Sequence, residues 1–385
     1  MSARDDAVDV AWNPGRDPAW RPQPGLEDQA LALHHALDGY APTPLHAAPS
    51  LAAEVGLGAV LLKDESSRFG LPAFKALGAW WATAWAVAQR LGAPALATQP
   101  AALRERARGA PLTLVCATEG NHGRAVGRAA RWLGLAALVV VPEDTAPARV
   151  QAIEAEGARV EHVDGDYDAA VRHAAALADD RHLVIADTSW PGYEEVPRRV
   201  VEGYATIFAE LDAQLDGRAV DLVVVPIGVG SLAAAAARHF RVTPGELPRL
   251  IGLEPIDAAC ALASARAGEP VTVAGRQGSI MAGLNCPTPS PDAWPQLAAA
   301  FDAFCAVGDG HVRRGMRLLA AAGLDRGACA GGVVGGLGAL LGDHAHRQAL
   351  SLPDDATALL VLTEGVTDRA AFAAAVGREP TSATR

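Results

Sequence analysis

Residues 221–232 read DLVVVPIGVGSL, and they set the pattern for the whole chain. An uncharged, valine-rich run stops at Pro226, a glycine turn follows (Gly228, Val229, Gly230), and an alanine-rich stretch of helical length begins at Ser231. This is strand, turn, helix, and the strand has no polar face, so it expects to be covered on both sides. The same order recurs at 112–123, LTLVCATEGNHG, and a third strand with unusual chemistry at its end lies at 358–368, ALLVLTEGVTD.

Outward from these, further apolar runs at 59–62, 136–141, 183–185 and 250–253 read as strands. Ala-rich segments at 76–91, 123–133, 146–156, 167–179, 193–213, 231–240, 257–267 and 311–322 read as helices. Buried strands alternating with helices predict an α/β protein with mostly parallel, doubly wound sheets. The 385 residues suit two such domains. Residues 1–40, rich in Pro, Trp and Asp, read as an arm over the surface, and 92–111 and 268–296 read as loops. No internal repeat of solenoid length is present.

A formal net charge of −11 argues against nucleic acid as a partner. No run approaches the ~18 apolar residues of a membrane span, and the acidic N-terminus lacks a secretory pattern, so no membrane partner and a cytoplasmic location are expected. Cys116, Cys260, Cys286, Cys305 and Cys329 show no zinc spacing, and no metal is expected; Cys260 and Cys286 could approach each other, and free thiols suit the compartment. His344 and His346 read as an exposed helix turn and not as metal ligands.

Of 33 Lys and Arg residues only two are lysines, Lys63 and Lys75. A coding bias toward arginine explains the scarcity, and under that bias lysine persists where arginine cannot act. Arginine stays protonated and cannot serve as an amine nucleophile. Lys63, beside Asp64 and Glu65 at a strand end, reads as an ion pair. Lys75 opens a helix, where the dipole disfavours a cation and helps keep an amine nucleophilic. The 226–231 turn can be a plain βα turn, a dinucleotide turn or a phosphate cradle; the GxGxxG pattern is incomplete because Ala233 takes its last position. Gly120-Asn121-His122 can equally be ordinary turn and cap chemistry.

Taken together, ESSRFGLPAFKALG (65–78), ATEGNHG (117–123), PIGVGS (226–231) and LTEG (362–365) resemble fold-type II enzymes of pyridoxal phosphate (PLP), the tryptophan synthase β-like group. The segments ADTSWPGYEEVPRRVVEGYATI (186–207), GSIMAGLNCPTPS (278–290), VGDGHVRRGM (307–316) and GACAGGVVGGLGAL (327–340) are similar to the diaminopropionate ammonia-lyase family. The resemblance implies a large PLP-binding domain of residues 1–80 plus 188–385, a smaller inserted domain of 81–187 carrying Asn121, and a homodimer. It implies that Lys75 holds PLP as an imine and Asn121 bonds the cofactor's phenolic oxygen. The amides of Gly228, Val229 and Gly230, with Ser231, take the phosphate, and Thr363 faces the pyridine nitrogen. Asp187 and the residue before GNHG are the catalytic carboxylates. The family has aspartate at that second place and this chain has Glu119, one methylene longer.

The implied reaction is elimination of ammonia from 2,3-diaminopropionate, D and/or L, giving pyruvate and two ammonia. Lys75, or Glu119 if it lies on the opposite ring face, takes the Cα proton, and Glu119 with Asp187 holds the β-ammonium. A serine/threonine dehydratase-type or β-replacement PLP enzyme acting on a related β-substituted alanine is the alternative.

Overall fold

A computed structural model describes residues 4–118, 120–242, 247–275 and 277–381. The chain divides into two compact units. The larger comprises Met1–Gln23, Pro42–Ser67 and Ile207–Arg385, and the smaller comprises Pro24–Ala41 and Arg68–Thr206. Eleven strands occur among the described residues: β1 (Val8–Trp12), β2 (Leu45–Ala47), β3 (Ala59–Asp64), β4 (Thr113–Ala117), β5 (Ala136–Pro142), β6 (Arg159–Val163), β7 (His182–Val184), β8 (Leu222–Pro226), β9 (Arg249–Pro255), β10 (Ala303–Val307) and β11 (Thr357–Leu362).

The larger unit holds a seven-stranded sheet in the order β1-β10-β9-β8-β11-β3-β2. Its five inner strands are mutually parallel and its two edges antiparallel. The smaller unit holds a wholly parallel sheet, β6-β5-β4-β7. In the larger sheet β8 and β11 are fully buried, as a strand covered on both faces must be.

All seven strands expected from apolar runs are present, and four more join them. The N-terminal arm is corrected: it contributes β1, which pairs with β10 along the sheet edge, and a helix, Glu27–Ala36. A strand on an edge needs only one apolar stripe, so Asp9 does not exclude it. The expected loop at 92–111 contains the helix Pro100–Ala107. The division at residues 80/81 and 187/188 differs from the compact units, which place Arg68–Thr206 together. The reason is a close helix crossing inside the smaller unit. A Cβ on Gly203 would lie 2.7 Å from the Gly78 Cα, and one on Gly78 would lie 2.6 Å from the Tyr204 ring. Residues 75–80 and 195–204 therefore pack as one layer. Trp81, fully buried in the same unit, donates to Glu202 at 3.0 Å, and Trp80 meets Trp132 edge-on at 5.2 Å, so both are core residues.

The run GACAGGVVGGLGAL forms the helix Ala328–Gly342 despite six glycines within it, each of which costs ~1 kcal/mol against alanine in a helix interior. Close packing offsets that cost at Gly331, Gly332, Gly335 and Gly336. A side chain at Gly335 would overlap the His311 carbonyl, and one at Gly315, on the helix Asp309–Ala321, would overlap the Gly331 carbonyl. The two helices approach at backbone distance only because both lack side chains there.

Lys63 is completely buried on β3. Its ammonium donates to Glu210 at 2.6 Å, the Thr43 carbonyl at 2.9 Å and Gln214 at 2.9 Å. Three acceptors around a compact ammonium suit lysine and not the planar guanidinium. The ion-pair reading of Lys63 is thus the observed one. Replacing Lys63 with methionine leaves the Glu210 charge uncompensated and should lower stability by about 3–5 kcal/mol in urea unfolding.

Candidate active site

In the smaller unit the chemistry gathers beyond the carboxyl ends of two neighbouring parallel strands, β4 and β7. After β4 the chain turns through Gly120, whose φ of +146° suits glycine, and enters the helix Asn121–Leu133. Asn121 therefore stands at a helix N-terminus. After β7, Ile185 still bonds Val115 at 2.7 Å, and Asp187 follows two residues on, 5% exposed. His122 links the two ends: its Nε2 donates to the Ile185 carbonyl at 2.8 Å, which places the ring proton on Nε2. Burial holds this imidazole below the usual histidine range. Glu119 lies outside the described residues.

Lys75 is the first residue of the helix Lys75–Arg90. Its ammonium donates to Asp187 Oδ2 at 2.7 Å, and Tyr167 donates to Asp187 Oδ1 at 3.0 Å. The carboxylate offsets the helix dipole's repulsion of a cation at that position. Burial alone would raise the Asp187 carboxyl. The charge of Lys75 and the hydrogen bonds from Lys75 and Tyr167 outweigh it and hold the group well below the usual carboxylate range. Lys75 also lies 5.2 Å from the Phe74 ring centre and 5.9 Å from that of Tyr204. Tyr167 opens the helix Tyr167–Ala176, capped by Asp166. Nothing in its sequence neighbourhood singles it out, because its role depends on β7 lying beside β4.

In the larger unit, β8 and β11 are neighbours, so the 226–231 turn and Thr363 leave the same end of the sheet side by side. Gly230 has φ +101°, and the helix Ser231–Phe240 starts directly after it. A Cβ on Gly228 would lie 3.2 Å from the Gly283 carbonyl and 3.3 Å from Cys286 Sγ, so the turn leaves no room for a side chain. Ser290 fixes the turn by donating to the Val229 carbonyl at 2.8 Å. Cys260 lies against the same glycine, its Sγ 3.7 Å from the Gly228 carbonyl, and both Cys260 and Cys286 are free thiols. The Thr363 hydroxyl is buried and has no hydrogen-bond partner among the described residues. An orphaned buried hydroxyl costs ~1–3 kcal/mol unless something else satisfies it.

Each unit by itself carries features that suit PLP. The smaller offers a primary amine, Lys75, at a helix start, and the larger a glycine turn that opens a helix, with an unsatisfied hydroxyl, Thr363, on the adjoining strand end. Among the described residues no group of three or more His, Cys, Asp or Glu is placed to hold a metal ion, and no helix is long and apolar enough to cross a membrane.

Residues 36–364 match the family described as pyridoxal-phosphate dependent enzyme. The chain is 38% identical over 360 residues to the diaminopropionate ammonia-lyase of Salmonella typhimurium, covering 88% of this chain and 89% of the relative. The crystal structure of Escherichia coli diaminopropionate ammonia lyase in complex with D-serine superposes with a TM-score of 0.89 at 31% identity, covering 97% of this chain and 98% of that one. The same enzyme in complex with an aminoacrylate-PLP azomethine reaction intermediate gives 0.86 at 31% identity over the same shares.

Proposed function

The chain belongs to the pyridoxal-phosphate-dependent enzyme family, with PLP as its cofactor, and from that premise we propose that it is an ammonia-lyase that splits 2,3-diaminopropionate into pyruvate and two ammonia. The observation that carries the reading is the 2.7 Å pair between Lys75 and Asp187. A buried carboxylate already accepting an ammonium is a site built for one, and a substrate β-ammonium makes the same bond. The serine hydroxyl has no charge to offer it, so the carboxylate favours a diamino acid.

Lys75 is the residue that would hold PLP covalently, with Asn121, Gly228, Val229, Gly230, Ser231 and Thr363 as its further contacts. When bound, PLP supplies the electron sink for the negative charge left at Cα. The protein's own residues do the rest. The neutral amine of Lys75 accepts a proton from Cα, and Glu119 is the second candidate base. Asp187 orients the β-ammonium and keeps it charged until the C–N bond breaks and ammonia leaves. The Thr363 hydroxyl would offer the pyridine nitrogen a neutral partner, one that brings no proton of its own to the ring. The family resemblance also supports a cytoplasmic homodimer.

Two measurements test this. Pyruvate formation from D- and L-diaminopropionate, serine and threonine should favour diaminopropionate by at least about 100-fold in kcat/KM. Equal or better turnover of serine would make the dehydratase reading correct. Trapping of an added thiol in a stoichiometric product would favour β-replacement.

The second measurement concerns pH. If Asp187 must be ionised, the acid limb of kcat/KM reports its carboxyl. That group is lowered in the folded enzyme, so activity is present above the limb and is lost as pH falls through it. Tyr167→Phe removes one hydrogen bond to the anion and should move the limb upward, by up to about one pH unit. A limb unchanged in position, with activity otherwise intact, would mean that Tyr167 does not tune this carboxylate.

A further inference from the structure

We propose that the larger unit carries a second small-ligand site that takes a short-chain carboxylate, built from residues not assigned to PLP or substrate. A cavity of about 270 Å³ lies among the helices Pro49–Val55, Asp309–Ala321 and Ala328–Gly342, with Arg347 at its edge. Its floor is apolar, formed by Leu51, Val55, Leu318, Val334 and Ala339. At about 30 Å³ per water the space matches roughly nine waters, which suits a branched aliphatic chain with one carboxylate.

Two observations point to an occupant. The first is the pattern of glycines along Ala328–Gly342. Gly331, Gly332, Gly335 and Gly336 are demanded by packing, because a Cβ at each would collide with a neighbour. Gly338 is not: a Cβ there meets nothing within 4 Å, and it lines the cavity. A glycine in a helix interior with open space beside it costs ~1 kcal/mol against alanine, and no contact offsets it. What the missing side chain preserves is the volume.

The second observation is charge. Arg347 donates to the carbonyls of Val55, Gly56 (3.2 Å) and Leu341 (3.3 Å), which uses three of its five N–H groups. It has no carboxylate partner among the described residues. Arg314, also on the rim, pairs with Glu54 at 2.6 Å across an exposed edge, and His311 completes the rim. Two guanidiniums against one carboxylate leave a net positive mouth over an apolar floor, on a protein whose overall charge is −11. A planar guanidinium with free donors matches a carboxylate head, and the floor matches its tail.

The test is isothermal titration calorimetry of the full PLP-loaded chain with 4-methylpentanoate. Saturable binding is expected for the natural protein. Gly338→Leu fills the cavity and Arg347→Gln removes the head-group partner, and each should weaken binding at least about tenfold. Arg347 also holds the end of the helix Pro49–Val55, so its loss could disturb folding. Gly338→Leu breaks no hydrogen bond, should melt no lower than the natural protein, and should leave lyase turnover unchanged. The proposal is overturned if the natural protein gives no saturable heat up to about 20 mM. It is equally overturned if Gly338→Leu binds as the natural protein does, because the carboxylate is then seated elsewhere.

Discussion

Lys75→Ala is expected to cut ammonia release from diaminopropionate by at least about 10⁴-fold, because in the proposed mechanism it removes both the covalent anchor for PLP and a base for the Cα proton. Lys75→Arg should do no better: a guanidinium stays protonated and neither condenses with an aldehyde nor takes a proton at neutral pH. Both variants should fold. In the alanine variant Asp187 loses the positive charge that holds its carboxyl down, and burial then favours the neutral acid, so the group protonates in place. Circular dichroism and melting alongside the rate assay separate lost chemistry from lost structure. A folded alanine variant that still releases ammonia at the natural rate would remove Lys75 from the mechanism.

Asp187→Asn is the second large effect. The amide keeps the size of the side chain and its bond from Tyr167, but it no longer carries the charge that accepts an ammonium. Turnover of diaminopropionate should fall by about 10²–10⁴-fold, the usual contribution of a positioned acid–base group. Serine should suffer less, because its hydroxyl never used the charge. The informative quantity is therefore the ratio of the two substrates: the variant should lose most of the preference for diaminopropionate. An equal loss for both would assign Asp187 to holding Lys75 and not to choosing the substrate.

Much of this was legible in the sequence, and the reasons differ by element. β8 and β11 announce themselves because a strand covered on both faces is apolar almost throughout, LVVVP and TALLVL. The turns after them are legible as turns because glycine and serine punctuate strand ends, and their roles were legible only through the family resemblance. Lys75 stands out through the scarcity of lysine in an arginine-rich chain. β6, RVEHV, was not legible: it is an edge strand whose exposed positions, Arg159 and His162, are polar, and it reads as a loop until β5 is placed beside it. The helix Ala328–Gly342 defeats propensity altogether, because Gly331 and Gly335 are explained only by the neighbouring helix at backbone distance, and Gly332 and Gly336 by Met281 and Leu253 packed against them. Tyr167 could not have been found from its own segment, since its bond to Asp187 spans 20 residues and depends on strand order. The Lys63 network needed the fold as well: an ion pair with Asp64 or Glu65 was the local reading, whereas its carboxylate partner at 2.6 Å is Glu210, 147 residues away.

With only two lysines in the chain, covalent chemistry at Lys75 can be read without ambiguity. Purified protein is reduced with borohydride, digested, and its peptides weighed. The reduced phosphopyridoxyl group should ride on the peptide containing Lys75, with the Lys63 peptide unmodified. The group found on Lys63, or on no peptide of a protein that nonetheless converts diaminopropionate to pyruvate, would contradict the account.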